Sequence, residues 1–252
     1  MLVHGALINR SFFQTLSPLL ANEGYCVFSL TWGSLGDPTV GGLAPIGQGA
    51  RELADFVDDV LALTGSSEVD LVGHSEGTLM PQYYLKRLGG AGKVGTFVAL
   101  ASMFRGTRLV GADQFLPALM ELPFGMGDWL RAAYTSMCGA CLQVLWGSPF
   151  LEELNRDGVA TPGVKYVSVV TRNDEFVVPY TSGVIDEPGA IDVVVQEGCP
   201  ADGSDHASIA YERRAMVVVL NALDPAHATD PPCDLALPVW GTLFAQPDPI
   251  PH

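Results

Sequence analysis

Residues 73–77 read Gly73-His74-Ser75-Glu76-Gly77, a G-x-S-x-G pentapeptide. A lone match of this kind occurs by chance, so its setting decides what it is worth. An apolar run, VDLVG at 69–73, precedes it, and a helix-forming run, TLMPQYYLKRL at 78–88, follows it. A Ser on a tight strand-to-helix turn is lifted clear of the sheet, and the next backbone N–H points toward the oxygen of a reacting carbonyl. That chemistry is nucleophilic attack by the Ser75 hydroxyl. A neutral hydroxyl is a poor nucleophile and needs a base. Of the five His, His4 and His74 sit at turns beside predicted strand ends and are expected to pack and hydrogen-bond locally. His227 and His252 lie in a Pro-rich tail and are expected to be solvated. His206, in GSDHA at 203–207, follows the last predicted strand and opens a helix, a loop position from which an imidazole can reach Ser75.

An acid must orient that imidazole and stabilise its charged form. Asp174 follows the predicted strand at 164–171 and gives the order Ser, Asp, His. Glu175 and Asp205 are its rivals. Two backbone N–H groups are needed for the oxyanion. Glu76, which follows the nucleophile, supplies one. Ala6, in the turn after the first strand, is expected to supply the other, with Leu7 as runner-up.

The elements that must position these residues alternate along the chain. Nearly continuous apolar runs at 25–30, 69–73, 94–100, 164–171 and 191–196 read as parallel strands buried on both faces. Between them, 12–22, 47–64, 76–88 and 207–222 read as helices. In the second, Leu53, Phe56, Val57, Val60, Leu61 and Leu63 form an apolar stripe beside Glu52, Asp55, Asp58 and Asp59. The alternation predicts an α/β fold with a mainly parallel sheet flanked by helices. Two stretches break it. Residues 103–147 hold no convincing strand and carry four of the seven Met. Residues 224–252 hold seven of the 18 Pro and read as an extended tail packed on the same domain.

Length and composition set outer bounds. A chain of 252 residues fits one domain, and 48% hydrophobic with 16% charged residues supports a sizeable core. The net charge of −15 repels phosphate backbones, so nucleic acid is not an expected partner. No uninterrupted apolar run reaches about 18 residues, which argues against integral membrane association. The opening Met1–Gly5 does not read as a signal peptide. No G-x-G-x-x-G or Walker-type Lys follows a strand, so nucleotide binding is not expected. Five Cys is an odd number. Cys138 and Cys141 form a C-x-x-C that reads as a local disulfide. Metal binding would need two more ligands, so neither a metal nor another cofactor is expected.

These residues together resemble the class 2 lipases, secreted bacterial α/β-hydrolases related in fold to the yeast lipase B type. The resemblance rests on LVHG at 2–5, LSPLLANEGYCVF at 16–28, VGHSEGTLMPQYYLKRLGGAGKV at 72–94 and GSPFLEELN at 147–155. It continues through PGVKYVSVVTRNDEFVVPYTS at 162–182 and CPADGSDHASIAY at 199–211. It implies an α/β-hydrolase fold in 1–223, with a helical lid or acyl-pocket insertion around 103–147. It implies a carboxylester or triacylglycerol hydrolase with Ser75, Asp174 and His206 as triad, acting on acyl esters or lipids. Leu7, His74, Met103, Phe115, Leu119, Met120 and Phe124 are the expected substrate-lining residues. The resemblance also pairs Cys199 with Cys233, and disulfides place the protein outside the cytoplasm.

Three departures stand out. Glu76 replaces a Gln, and a carboxylate there would oppose a developing oxyanion. Thr78 replaces a small residue and is expected to crowd the turn. A segment that usually precedes LVHG is missing, which predicts that strand 2–4 is an exposed edge and that Cys26 is a buried free thiol. Other readings on the same frame are an acyltransferase or polyester hydrolase, and a non-catalytic protein that kept the fold.

Overall fold

The computed structural model describes residues 1–242. His252 and the end of the tail lie outside the described residues. Six strands form one parallel sheet: β1 (Leu2–Val3), β2 (Ser29–Leu30), β3 (Val69–His74), β4 (Val94–Leu100), β5 (Lys165–Val170) and β6 (Ala190–Val194), in the order β2-β1-β3-β4-β5-β6. A short antiparallel pair, β7 (Ala236–Leu237) and β8 (Gly241–Thr242), lies in the tail. The helices are α1 (Leu16–Asn22), α2 (Ile46–Thr64), α3 (Leu79–Arg87), α4 (Ala112–Leu119), α5 (Met126–Met137), α6 (Pro149–Leu154), α7 (Val195–Gly198) and α8 (Arg213–Leu223).

The apolar runs are continuous because both faces of the sheet are covered. Alternate residues enter two cores. Val3, Leu71, Phe97, Ala99 and Tyr166 face one, with Ile46, Leu53 and Val57 of α2 and Leu79, Met80 and Tyr84 of α3. Leu2, Val72, Val98, Leu100, Val167 and Val169 face the other, with Leu16 and Leu20 of α1 and Ala215 and Val219 of α8. The α2 stripe is narrower than its sequence suggests, since Leu63 at the helix end is exposed. Gly65 in the left-handed conformation ends that helix, its N–H donating to the Leu61 carbonyl. Glu212 starts α8 by accepting the Arg214 N–H at 2.7 Å as well as the Ala215 N–H.

Several expectations need correction. The strand at 2–4 is not an edge: β1 pairs with β2 on one side and β3 on the other, so β2 is the edge on that side and β6 the edge on the other. Only Ser29–Leu30 of the 25–30 run pairs, and Cys26 is exposed rather than buried. A 3-10 turn, Arg10–Phe13, stands where a helix from 12 was expected, and α1 begins at Leu16. Likewise α3 begins at Leu79 after a 3-10 turn at Ser75–Thr78, and α8 begins at Arg213. In each case the helix start gives way to a turn that serves a loop at the sheet's C-terminal edge or beside it.

The tail runs back over the loop that carries His206. A disulfide joins Cys199 to Cys233, Gly203 N–H donates to the Ala236 carbonyl at 3.0 Å, and Val239 N–H donates to Asp205 Oδ2 at 2.9 Å. Cys138 and Cys141 form the second disulfide. Among the described residues, no helix is long and apolar enough to cross a membrane.

Candidate active site

Ser75 sits directly after β3 in the left-handed region at φ 55°. A non-glycine residue there is strained and persists only when its surroundings over-determine it. The surroundings are tight. A Cβ on Gly73 would lie 2.2 Å from the Gly77 carbonyl oxygen, and one on Gly77 would lie 2.3 Å from the Val3 carbonyl oxygen. Only glycine lets the strand, the turn and β1 approach this closely. Thr78 does not crowd the turn: its buried hydroxyl donates to the Ser75 carbonyl at 2.7 Å and accepts the Met103 N–H at 3.3 Å.

Three side chains from three sheet ends meet in line. His206 Nε2 lies 2.9 Å from Ser75 Oγ, and His206 Nδ1 lies 2.9 Å from both carboxylate oxygens of Asp174. With Nδ1–H donating to Asp174, Nε2 is left to accept from the serine hydroxyl. Asp174 is itself fixed, since its Oδ1 accepts the N–H groups of Val177 at 2.7 Å and Phe176 at 3.0 Å. Its two rivals are engaged elsewhere. Asp205 accepts from the Ser208 N–H and hydroxyl and from the Val239 N–H, and Glu175 accepts the backbone N–H of His206 at 3.3 Å.

The turn after β1 lies against Ser75, since a Cβ on Gly5 would be 2.9 Å from Ser75 Cβ. Leu7 N–H is already donated to the Gly41 carbonyl at 3.0 Å, whereas the Ala6 N–H has no acceptor among the described residues. The Glu76 N–H belongs to the first turn of a helix, where backbone donors have no intrahelical partner. The buried His4 braces this turn: its Nδ1–H donates to the Gly5 carbonyl at 2.7 Å, and its Nε2 accepts the Trp32 N–H at 3.3 Å. Burial holds the His4 pKa below the usual imidazole value, consistent with a neutral ring.

Glu76 is 2% exposed, and neither carboxyl oxygen has a partner among the described residues. Desolvation raises its pKa well above 4.5, which disfavours the carboxylate form. Burial thereby weakens the expected opposition between a carboxylate at this position and a nearby oxyanion.

The expected lining residues are dispersed. Leu7 is exposed in the turn after β1, in the left-handed region at φ 62°. Met103 is buried in the core with Phe97 and Phe104, and its backbone touches the turn through Thr78. Met120 is buried, Leu119 half-buried and Phe115 exposed at α4, while Phe124 is 99% exposed and so lines no wall. His74 is also misplaced as a lining residue, being buried behind His206 with its ring 4.9 Å from the His206 ring and 4.5 Å from Phe12. The sequence reading missed Phe176, half-exposed with its ring 5.1 Å from that of His206. Its position two residues after Asp174 was the available signal.

A serine elbow on a parallel sheet, with a His and an Asp brought in from later strand ends, defines a class. A family model described as "Alpha/beta hydrolase family" matches residues 1–222, and the chain belongs to that family. Among solved structures, it is similar to Aspergillus fumigatus lipase B at a TM-score of 0.67 and 20% identity, covering 96% of this chain. The chain spans 57% of the length of that lipase. A Bacillus licheniformis lipase aligns at TM-score 0.58 and 14% identity, over 90% of this chain and 91% of the lipase. A thermophilic esterase from Thermogutta terrifontis aligns at 0.55 and 13%, over 90% and 89%. At these identities the likeness is one of fold.

Proposed function

We propose that this chain is a secreted serine carboxylester hydrolase of the class 2 lipase type, cleaving acyl esters or triacylglycerols through an acyl-enzyme. The observation that carries the reading is the continuous chain from Ser75 Oγ through His206 to Asp174, with both contacts at 2.9 Å. Ser75 attacks the ester carbonyl while His206 Nε2 takes its proton. Asp174 stabilises the imidazolium that forms. The Ala6 and Glu76 N–H groups hold the tetrahedral oxyanion, and neutral Glu76 adds no opposing charge. His206 returns the proton to the leaving alcohol, and water, activated by the same base, releases the acid. No metal or organic cofactor takes part in this sequence.

The exposed apolar side chains of 103–147, Phe115, Met126 and Trp129 among them, favour an acyl or aromatic substrate over a peptide. Residues 1–223 make the hydrolase domain, 103–147 is its lid or acyl-pocket insertion, and the described part of the tail, 224–242, packs on the same domain. Two disulfides fit an extracellular location.

The test is hydrolysis of p-nitrophenyl esters of graded acyl length by the wild-type chain and by Ser75→Ala. The expected result is activity that falls on the order of 10⁴-fold or more in the variant, with the preferred length separating esterase from lipase. A folded wild-type chain without activity, or a variant that keeps it, overturns the reading.

A further inference from the structure

His206 is held by more than its ring. Its carbonyl accepts a hydrogen bond from His74 Nε2 at 2.7 Å. Because a carbonyl only accepts, His74 must carry its proton on Nε2. The His74 ring is 2% exposed, and its Nδ1 has no partner among the described residues. That nitrogen faces the Gly5 turn, since a Cβ on Gly5 would lie 3.4 Å from it. Burial first, then the neighbouring His206, lowers the His74 pKa to about 3, so the ring is neutral wherever His206 works as a base. A neutral donor is what the position requires, because a second imidazolium beside His206 would oppose the charge that His206 takes up.

We propose that His74 is a positioning residue, whose Nε2–H fixes the main chain of His206 so that the base meets the adjacent Ser75. The assignment rests on the hydrolase reading above. Its geometric content is that one rigid turn sets both ends of the Ser–His contact. Ser75 presents the hydroxyl, and the residue before it grips the backbone that carries the acceptor. The contact then survives motion of the 203–207 loop only as far as this bond permits. A misplacement of about 1 Å at a reacting group is enough to cost on the order of 100-fold in rate.

The test compares His74→Gln, which keeps an N–H at a similar reach, with His74→Met, which fills similar space without a donor. Both are assayed for kcat and KM on a p-nitrophenyl ester and for the rate of Ser75 modification by an organophosphonate. Thermal midpoint is followed in parallel. We expect kcat and the modification rate to fall together by about 10- to 100-fold in the Met variant, with KM nearly unchanged and substantial recovery in the Gln variant. A Met variant with wild-type kcat, or Gln and Met variants that lose activity equally and in step with stability, overturns the proposal.

A second measurement is independent of turnover: the low-field proton resonance of the His206 Nδ1–H bonded to Asp174. It should broaden or vanish in the Met variant and persist in the Gln variant. If it stays unchanged in the Met variant, His74 does not position the ring. Loss of that signal in the Met variant of a chain that hydrolyses no ester would leave His74 as the clamp and sink only the hydrolase reading.

Discussion

The loops at the C-terminal edge of the sheet and the helical region at 112–137 are both built from short segments with apolar residues, yet they are held in opposite ways. At the sheet edge the residues of the Ser75–His206–Asp174 chain are tied by specific hydrogen bonds, although the buried Glu76 carboxyl, His74 Nδ1 and Ser204 Oγ lack partners among the described residues. Thr171 Oγ1 and Asn173 Nδ2 both donate to the Ser204 carbonyl, Thr78 ties Ser75 to Met103, and His206 is bonded through its ring, N–H and carbonyl. In α4, by contrast, no residue of the helix is buried, and in α5 only Gly127 is. Phe115, Met126, Trp129 and Met137 all stand more than half exposed. The same pattern of apolar residues at helical spacing buries Ala215, Val218 and Val219 in α8, because α8 lies on the sheet. Patterning specifies a helix face, and a neighbouring surface is needed to bury it. Precision sits where hydrogen bonds close on each other, and adaptability where apolar area lacks a fixed partner.

The sharpest way to break this contrast is inside the hydrogen-bonded region. Asp174→Asn keeps the shape but reverses the donor and acceptor demands on His206 Nδ1. Ester hydrolysis should fall about 10⁴-fold with the thermal midpoint little changed, as steady-state kinetics and calorimetry would show. A drop of less than tenfold would mean that the Asp174–His206 contact does not set the tautomer.

The two disulfides give the next largest difference, since one ties the His206 loop to the tail and the other closes a turn after α5. Their sequence separations are 34 and 3. In the chain-entropy model, removing Cys199–Cys233 should cost about 3–4 kcal/mol, and removing Cys138–Cys141 about 2 kcal/mol. Urea unfolding of the paired Cys→Ser variants checks the ranking, and an inverted order would place the greater constraint in the helical region.

Glu76 should show itself through pH. A carboxyl whose folded pKa is raised binds its proton more tightly in the folded state, so its contribution to stability declines as pH rises above about 4.5 toward the folded value. Glu76→Gln removes that decline. The variant and wild type should unfold at similar temperatures near pH 4.5, and above it the variant should gain on wild type by about 1.4 kcal/mol for each pH unit until the folded pKa is reached. A pH-independent difference would show that Glu76 is not held as the neutral acid.

The smallest stability effect belongs to the exposed helices. The double variant Phe115→Ser with Trp129→Ser should unfold within about 0.5 kcal/mol of wild type. KM for long-chain esters should nevertheless rise about threefold while short-chain esters are unaffected. A large loss of stability would show that these side chains are buried in solution, and the contrast between the two regions would fail.

Much of the fold was legible locally. The run at 94–100 matches β4 residue for residue, and those at 69–73 and 164–171 match β3 and β5 to within a residue at either end. A strand buried on both faces must be apolar throughout, so its extent shows in the sequence. The run at 25–30 misled because apolarity records burial and not pairing: Tyr25 and Val27 pack against the core while only Ser29–Leu30 joins the sheet. Ser75, Asp174 and His206 were legible from motif and order, and Cys138–Cys141 from spacing. The left-handed Leu7, the Phe176 ring beside His206 and the burial of His74 were not.

Sequence alone therefore determined the alternation of strands and helices, the tight serine turn, and the three side chains able to form a nucleophilic relay. Each of these follows from short-range sterics or from the burial of a contiguous run. Tertiary structure decided which of Asp174, Glu175 and Asp205 meets the imidazole, that Leu7 N–H is consumed by Gly41, and that burial pushes the Glu76 pKa up. Those outcomes depend on hydrogen bonds and desolvation between residues far apart in the chain, and only packing brings such groups within reach of one another.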